Sequence, residues 1–179
     1  MNEEKNKIRF SKKIFIIIAC FIIFILIQQF YFFLPGLHIN RVPTEDMVCR
    51  ANLKHLGLAF YMYAQNNSNS YPTPDKWCDL IRPYLPRGAD DKILRCPAAE
   101  EARCHYAMNP DCEPNSPPDT ILLFETKNSY LNLFGGTELL SFDNHKEKIC
   151  NVLFNDGSVE GIKKDEISNL KWNAKEPNE

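Results

Sequence analysis

The N-terminal part of the chain is dominated by one long apolar stretch. From Ile14 to Leu34 the sequence holds 21 residues and no charged side chain. A helix of that length covers about 31 Å, which matches the thickness of a bilayer core. Basic side chains outnumber acidic ones in residues 1–13, and such a flank stays in the cytoplasm. The pattern predicts a transmembrane helix over residues 14–34, with the remainder of the chain outside.

A second helix is predicted beyond a short hinge. Pro35, Gly36 and Pro43 interrupt regular structure, so residues 35–43 are expected to form the hinge. Thr44 is a suitable N-cap, and apolar side chains then recur at steps of four and three residues. This stripe consists of Cys49, Leu53, Leu56, Phe60 and Tyr63. We expect an amphipathic helix whose apolar face packs on a flat apolar surface.

The hydrophobic period changes in the second half of the chain. Residues 71–118 carry nine of the twelve prolines, which predicts loops with one short helix after Thr73-Pro74-Asp75. Apolar runs of strand length then follow at Ile121–Thr126, Leu139–Phe142, Ile149–Phe154 and Val159–Ile162, and residues 165–172 can form a closing helix. Asp156-Gly157 suits a tight hairpin turn. The expected class is α+β, with an external domain over 44–172 built on a small antiparallel sheet and a polar tail over 173–179.

The cysteine count suggests disulfide bonds. Cys20 lies in the apolar stretch, whereas six cysteines lie beyond it: Cys49, Cys78, Cys96, Cys104, Cys112 and Cys150. An even number in an oxidising compartment predicts up to three bridges, but 15 pairings are possible and the sequence does not select one. A local bridge among Cys96, Cys104 and Cys112 would close the proline-rich region.

Zinc binding is the alternative role for three of these cysteines, together with a neighbouring histidine. Cys96, Cys104, His105 and Cys112 offer four suitable atoms. Zinc ribbons and fingers, however, use a Cys-x2-4-Cys hairpin, and these cysteines are spaced eight residues apart. The spacing therefore favours disulfides over zinc.

Catalytic and calcium sites receive weaker support from the sequence. Cys150 and His145 could form a nucleophile pair, but an oxidised external cysteine is not a thiolate, so no enzyme activity is predicted. Oxygen-bearing side chains cluster around two turns, at Asp143, Asn144, Asn155 and Asp156. They are weak candidates for a calcium site, since turn chemistry alone accounts for Asn155 and Asp156. No other cofactor is expected. The formal charge of −2, without a basic block, argues against nucleic acid as a partner.

Several motifs occur in a characteristic order between residues 49 and 163. They are Cys49-Arg-Ala-Asn-Leu-Lys-His-Leu-Gly-Leu-Ala, Tyr71-Pro-Thr-Pro, Trp77-Cys-Asp-Leu, Arg95-Cys-Pro, Cys104-His-Tyr-Ala-Met-Asn, Pro117-Pro-Asp-Thr-Ile-Leu-Leu-Phe-Glu, and His145 followed by Asn151-Val-Leu-Phe-Asn-Asp-Gly-Ser-Val. The arrangement resembles the bacterial pseudopilin-like proteins, which are related to the G-type pseudopilins of type II secretion. Their C-terminal signature corresponds here to His145, Asp156 and Gly157.

The resemblance implies a fold, a location and a role. The fold is pilin-like, with an N-terminal transmembrane helix and a second helix packed on a small antiparallel sheet. The location is the bacterial inner membrane, with a single span, the N-terminus inside and a periplasmic domain. The role is that of a structural or interaction protein accessory to a type II secretion or pilus-like system, with secretion-system or envelope proteins as partners. The alternative is an envelope module that binds calcium or a saccharide.

Overall fold

The computed structural model divides the chain into two units, residues 1–42 and residues 43–179. It describes residues 15, 17–30, 44–88, 92–99, 103–128 and 130–172. In the first unit, residues 17–30 are helical and their large hydrophobic side chains are exposed. The second unit holds the helices and strands whose bounds follow.

The predicted transmembrane helix over residues 14–34 is wrong. In the part of the chain that the structure describes, no helix is both long enough and apolar enough to cross a membrane. The same finding contradicts the predicted single-pass inner-membrane location with its periplasmic domain. The segments predicted over 1–13, 35–43 and 173–179 lie outside the described residues.

The main helix of the second unit, α1, spans Glu45–Asn66. The Thr44 side chain accepts a hydrogen bond from the backbone N–H of Met47, which confirms the predicted N-cap. The buried face of α1 contains Cys49, Leu53, Leu56, Ala59, Phe60 and Ala64. The predicted stripe is therefore confirmed apart from Tyr63, which is only half-buried and packs edge-on against Tyr84 at the margin of the core.

Four strands form an antiparallel sheet in the order β1-β2-β3-β4. They are β1 (Tyr106–Met108), β2 (Ile121–Glu125), β3 (Ile149–Phe154) and β4 (Val159–Lys163). The last three confirm the predicted strands. The short strand β1 was not predicted, because three residues are too few to show a period of two.

The strand predicted over Leu139–Phe142 is wrong. A 3-10 turn, Thr137–Leu139, occupies part of this region, and Leu140 makes only an isolated bridge to Thr126. Leu139, Leu140 and Phe142 instead pack as half-buried side chains on a core cluster of the sheet. The apolar side chains of this segment therefore cover the sheet, and the segment itself is not one of its strands.

The sheet separates two hydrophobic clusters. One cluster joins α1 to the sheet residues Tyr106, Leu123 and Leu153. It also includes the short helix α2 (Trp77–Ile81), which follows a 3-10 turn at Pro74–Lys76 and confirms the helix predicted after Asp75. Gly57 permits the close approach of α1, because a Cβ atom there would lie 2.9 Å from Leu153 Cδ2.

The second cluster lies among residues of β1 to β4 and the C-terminal segment. It contains Phe124 and Val152, and Leu170 and Trp172 pack against it. The predicted closing helix is a 3-10 helix, Lys164–Asn169, and the chain beyond it pairs with Thr120. Leu170 and Trp172 pack on the sheet, and the centre of the Trp172 ring lies 5.1 Å from that of Phe124.

The predicted hairpin turn joins β3 to β4 and provides a test of backbone conformation. Gly157 has φ of +82° and donates its N–H to the carbonyl of Phe154. Because a side chain is strained at this φ, Gly157→Ala should lower the free energy of unfolding by about 1 kcal/mol in urea denaturation. Glu160→Ala, at an exposed position of β4, is the control and should change little. Equal losses in both variants would contradict the assigned turn.

Candidate functional site

Four side chains from distant parts of the chain meet at one end of the sheet. They are Cys49 of α1, Cys96 in the loop region before β1, Glu125 at the end of β2, and His145 before β3. One ligand atom from each lies within 4.8 Å of the others. All four residues are buried, with exposed fractions of 0%, 1%, 0% and 3% respectively.

Local structure explains how each residue reaches the site. Cys49 belongs to the buried stripe of α1, so its side chain faces the sheet. The backbone N–H of Cys96 donates to His105 Nδ1 at 3.0 Å, which fixes the loop next to β1. Glu125 lies opposite Tyr106 in the β1–β2 register. A turn closed by the Lys148 N–H and the carbonyl of His145 presents the imidazole.

The imidazole of His145 is the centre of the contacts. Its Nε2 atom lies 2.9 Å from each carboxylate oxygen of Glu125 and 3.7 Å from Cys96 Sγ. Cys96 is joined to Cys49 by a disulfide bond. The two sulfurs, the imidazole nitrogen and the carboxylate therefore converge on one buried position.

The charged forms of the His145 imidazole and the Glu125 carboxylate stabilise each other. Burial lowers the pKa of His145, but the hydrogen bond and negative charge of Glu125 outweigh burial and raise this pKa above its ordinary value. Asp46 and Glu147 act in the same direction. The Glu125 carboxylate also accepts the backbone N–H of Asn151 at 2.9 Å. We infer that His145 and Glu125 form a buried ion pair in the disulfide-bonded state.

A polar network connects this pair to the first turns of α1. The Asn151 side chain donates to Asp46 Oδ1 at 2.9 Å and accepts from Arg50 Nε at 3.1 Å. Its Nδ2 atom also lies 3.2 Å from His145 Nε2. Asn151 is buried, and its contacts with Asp46 and Arg50 hold its side chain beside the imidazole. Such outer contacts orient the side chains that bind a metal.

Of the six cysteines predicted to form disulfides, two are bonded to each other and four are free. The Cys49–Cys96 bond confirms that disulfides form among these residues. Cys78, Cys104, Cys112 and Cys150 carry free thiols, and the local bridge expected among Cys96, Cys104 and Cys112 is not present among the described residues.

The four residues of the zinc alternative do not converge. Cys96 meets His105 through its backbone, whereas the Cys104 thiol is hydrogen-bonded to Tyr106 and the Cys112 thiol to Asn155. These partners hold the cysteine side chains at separate places in the fold.

The calcium candidates fall into two groups separated by β3. Asp143 and Asn144 precede this strand, while Asn155 and Asp156 follow it. Six strand residues span about 20 Å, so the two groups do not form one site. Within each group the side chains have local partners. Asp143 pairs with Lys148 at 2.8 Å, Asn144 with Ser141, Asn155 with Tyr71, and Asp156 with the N–H of Ser158.

The structure also bears on the Cys150–His145 pair and on the family signature. Burial raises the pKa of Cys150 to about 12, and its thiol donates to the carbonyl of Glu125, so it is not a thiolate at neutral pH. Of the signature residues, His145 joins the site. Asp156 and Gly157 form the turn at the opposite end of β3.

Glu125 is the residue that sequence reasoning missed. It ends the apolar run that begins at Ile121, and it is fully buried. A carboxylate at the end of a buried strand needs a partner, because an unpaired buried charge is costly. The position of Glu125 at the end of an apolar run was therefore the feature of the sequence that could have identified it as a site residue.

Comparison with known proteins finds no family model, no curated protein and no solved structure that matches this chain. The resemblance to pseudopilin-like proteins accordingly stays a prediction. The candidate site rests on the geometry of Cys49, Cys96, Glu125 and His145 alone.

Proposed function

We propose that this domain binds one zinc ion through Cys49, Cys96, Glu125 and His145 when the two cysteines are reduced. The observation that carries the proposal is the convergence of these four side chains within 4.8 Å. Thiolate, imidazole and carboxylate are the ligands that zinc uses in proteins. Zinc–ligand bonds of about 2.0–2.3 Å place neighbouring atoms of a tetrahedron about 3.3–3.8 Å apart. The Cys96 Sγ to His145 Nε2 distance of 3.7 Å fits that range.

The donor set favours zinc over calcium. Calcium and magnesium take oxygen ligands, whereas two thiolates and an imidazole select a softer transition metal. The four residues are buried, which is typical of a closed structural site rather than a catalytic site with an open position. The expected role of the ion is therefore to hold α1, the Cys96 loop and the sheet together.

The disulfide and the zinc ion exclude each other. In the oxidised protein the two sulfurs are bonded to each other, so only Glu125 and His145 remain as ligands. Two-electron oxidation of the two thiolates forms the Cys49–Cys96 bond and releases zinc. The electrons reduce a small-molecule disulfide, which takes up two protons and becomes two thiols. A dithiol reductant reverses the reaction and restores the metal site.

Zinc titration of the full chain tests the proposed site. The protein is prepared anaerobically in reduced and oxidised forms, and zinc is titrated in competition with a chromogenic chelator. We expect one ion per chain in the reduced form and none in the oxidised form. Cobalt(II) should give the absorption of a tetrahedral thiolate site in the reduced form.

Matched variants identify the ligands. Cys96→Ser and His145→Gln should each lose zinc binding, whereas Cys112→Ser and His55→Gln should retain it. Cys112 is a buried free thiol and His55 is exposed on α1, so each control removes the same chemical group elsewhere. Far-UV circular dichroism checks that each variant folds. Full zinc binding by the His145 or Cys96 variant would overturn the assigned ligands.

A second candidate function is assembly with other proteins, which the pseudopilin-like resemblance implies. One observation favours it: α1 exposes four large apolar side chains, Met47, Leu58, Tyr61 and Met62. Leu58 and Tyr61 also line a cavity of about 480 Å³ near the Asp156-Gly157 turn. Exposed apolar side chains grouped on one element mark interaction sites. In sedimentation velocity we expect the wild-type chain to self-associate through this surface and Leu58→Asp to remain monomeric. Lys127→Asp, at an exposed position that does not line this cavity, is the control and should associate like wild type. Unchanged self-association of Leu58→Asp would exclude this surface.

A further inference from the structure

The part of α1 that carries Cys49 is tied to β3 by a closed polar network. Asp46 and Arg50 lie on either side of Cys49 along the helix. The side-chain amide of Asn151 bonds to both of them, donating from Nδ2 to Asp46 Oδ1 at 2.9 Å and accepting at Oδ1 from Arg50 Nε at 3.1 Å. Arg50 Nε and Asp46 Oδ2 are themselves 4.0 Å apart. The network therefore fixes this segment of the helix on the sheet.

Asn151 also contacts the two site residues that lie outside α1 and the Cys96 loop. Its Nδ2 atom lies 3.2 Å from His145 Nε2, and its backbone N–H donates to Glu125 Oε2 at 2.9 Å. The residue is fully buried, so water does not compete for these contacts. Asn151 thus connects the helix segment around Cys49 with His145 and Glu125.

Strand β4 leaves room for the amide. Gly161 lies opposite Asn151 in the β3–β4 register. A Cβ atom at Gly161 would lie 3.3 Å from Asn151 Oδ1 and 3.4 Å from Arg50 Nη2, so a side chain at this position would press on both groups. A glycine inside a strand is typical of such a close approach.

We propose that Asn151 is a positioning residue that keeps the reduced, metal-free site assembled. In the oxidised chain the Cys49–Cys96 bond joins the helix to the Cys96 loop. After reduction, the hydrogen bonds of Asn151 hold the Cys49 segment beside His145 and Glu125. This preorganisation favours both zinc binding and re-formation of the disulfide, because neither has to order the segment again. The zinc part of the inference rests on the proposed function, whereas the disulfide part does not.

Equilibration with glutathione tests the disulfide part without metal. The full chain is held in chelator at fixed ratios of reduced to oxidised glutathione, quenched in acid and alkylated, and the Cys49–Cys96 bond is quantified by peptide mapping. Forming the bond transfers two electrons and two protons to one glutathione disulfide, which becomes two glutathione molecules. We expect Asn151→Ala and Asp46→Ala each to lower the equilibrium constant for the bond about tenfold, since ordering even one backbone residue again has a cost of that size.

Two further variants separate positioning from general effects on the helix. Asp46→Asn should recover most of the loss seen in Asp46→Ala, because its amide oxygen still accepts the hydrogen bond from Asn151. Glu45→Ala removes an exposed carboxylate from the same helix turn and should leave the equilibrium constant unchanged. Far-UV circular dichroism of each reduced variant checks the fold. The Asp46 variants keep Asn151 in the core, so they decide the question even where Asn151→Ala does not fold.

Zinc titration of the same reduced variants tests the metal part. Asn151→Ala and Asp46→Ala should still bind one ion per chain, but about 10–100-fold more weakly than wild type. Glu45→Ala should bind like wild type. A tetrahedral cobalt(II) spectrum in the weakened variants would show that all four ligands are still in use.

The two measurements distinguish this inference from the proposed function. Wild-type protein that binds no zinc would refute the zinc site, and the glutathione equilibrium would still decide the role of Asn151. Unchanged disulfide equilibrium constants in Asn151→Ala and Asp46→Ala would overturn the inference, whether or not zinc binds. Zinc affinity that is unchanged in both variants, in a chain whose wild type binds zinc, would overturn it as well.

Discussion

Replacing both cysteines of the Cys49–Cys96 bond by alanine should lower the free energy of unfolding of the oxidised chain by about 4 kcal/mol. The bond joins residues 47 positions apart. In the loop-entropy account, a crosslink over this length restricts the unfolded chain by about 4 kcal/mol. Urea denaturation of wild type and variant, both in chelator, measures the difference. Cys112→Ala removes a buried thiol without breaking a bond and should lose much less.

Zinc should offset the loss only where both thiols are present. In reduced wild-type protein, zinc at one hundred times its dissociation constant should raise the free energy of unfolding by about 2.7 kcal/mol. The double alanine variant should gain nothing, because it retains only Glu125 and His145 as ligands. An equal gain in both proteins would show that zinc binds elsewhere.

Glu125→Ala should destabilise the oxidised chain by about 3–5 kcal/mol, because it removes one partner of a buried ion pair. His145 would remain buried with its Nε2 atom facing an empty position, and the N–H of Asn151 would lose its acceptor. Denaturation of Glu125→Ala, His145→Ala and the double variant gives the coupling between the two side chains.

An ion pair on the surface provides the control for this prediction. Lys148 and Asp143 lie 2.8 Å apart, but both side chains are about two-thirds exposed. Solvent screens such a pair, so Asp143→Ala should change stability little. A loss in Glu125→Ala no greater than that in Asp143→Ala would contradict a buried ionic contact.

Much of the fold could be predicted, because local patterns and packing agree there. The apolar stripe from Cys49 to Phe60 matches the buried face of α1, and the Asp156-Gly157 turn lies where the sequence places it. The strand predicted over Leu139–Phe142 failed for a physical reason. A half-buried covering segment and a short strand have the same apolar composition, and only backbone pairing distinguishes them.

The candidate site could be predicted only in pieces. Cys49 and Cys96 were expected to form disulfides and His145 belonged to a signature, but their meeting depends on how α1 packs at the end of β2. Glu125 ends one of the quoted motifs, but nothing in that motif assigned it a role at a site. Sequence spacing reveals a metal site when its ligands lie on one hairpin, and here they are distributed over nearly one hundred positions.

The position of the Cys49–Cys96 bond also determines how the domain would bear mechanical load. Tension applied through the residues that precede Thr44 reaches Cys49 after about one turn of α1. From there it passes through the sulfur bridge to Cys96, so the rest of α1 and the whole of α2 lie outside the path of the force. Reduction would return 47 residues to that path, which adds about 160 Å of extensible chain. The bond therefore makes the N-terminal half of the domain a shielded loop under tension.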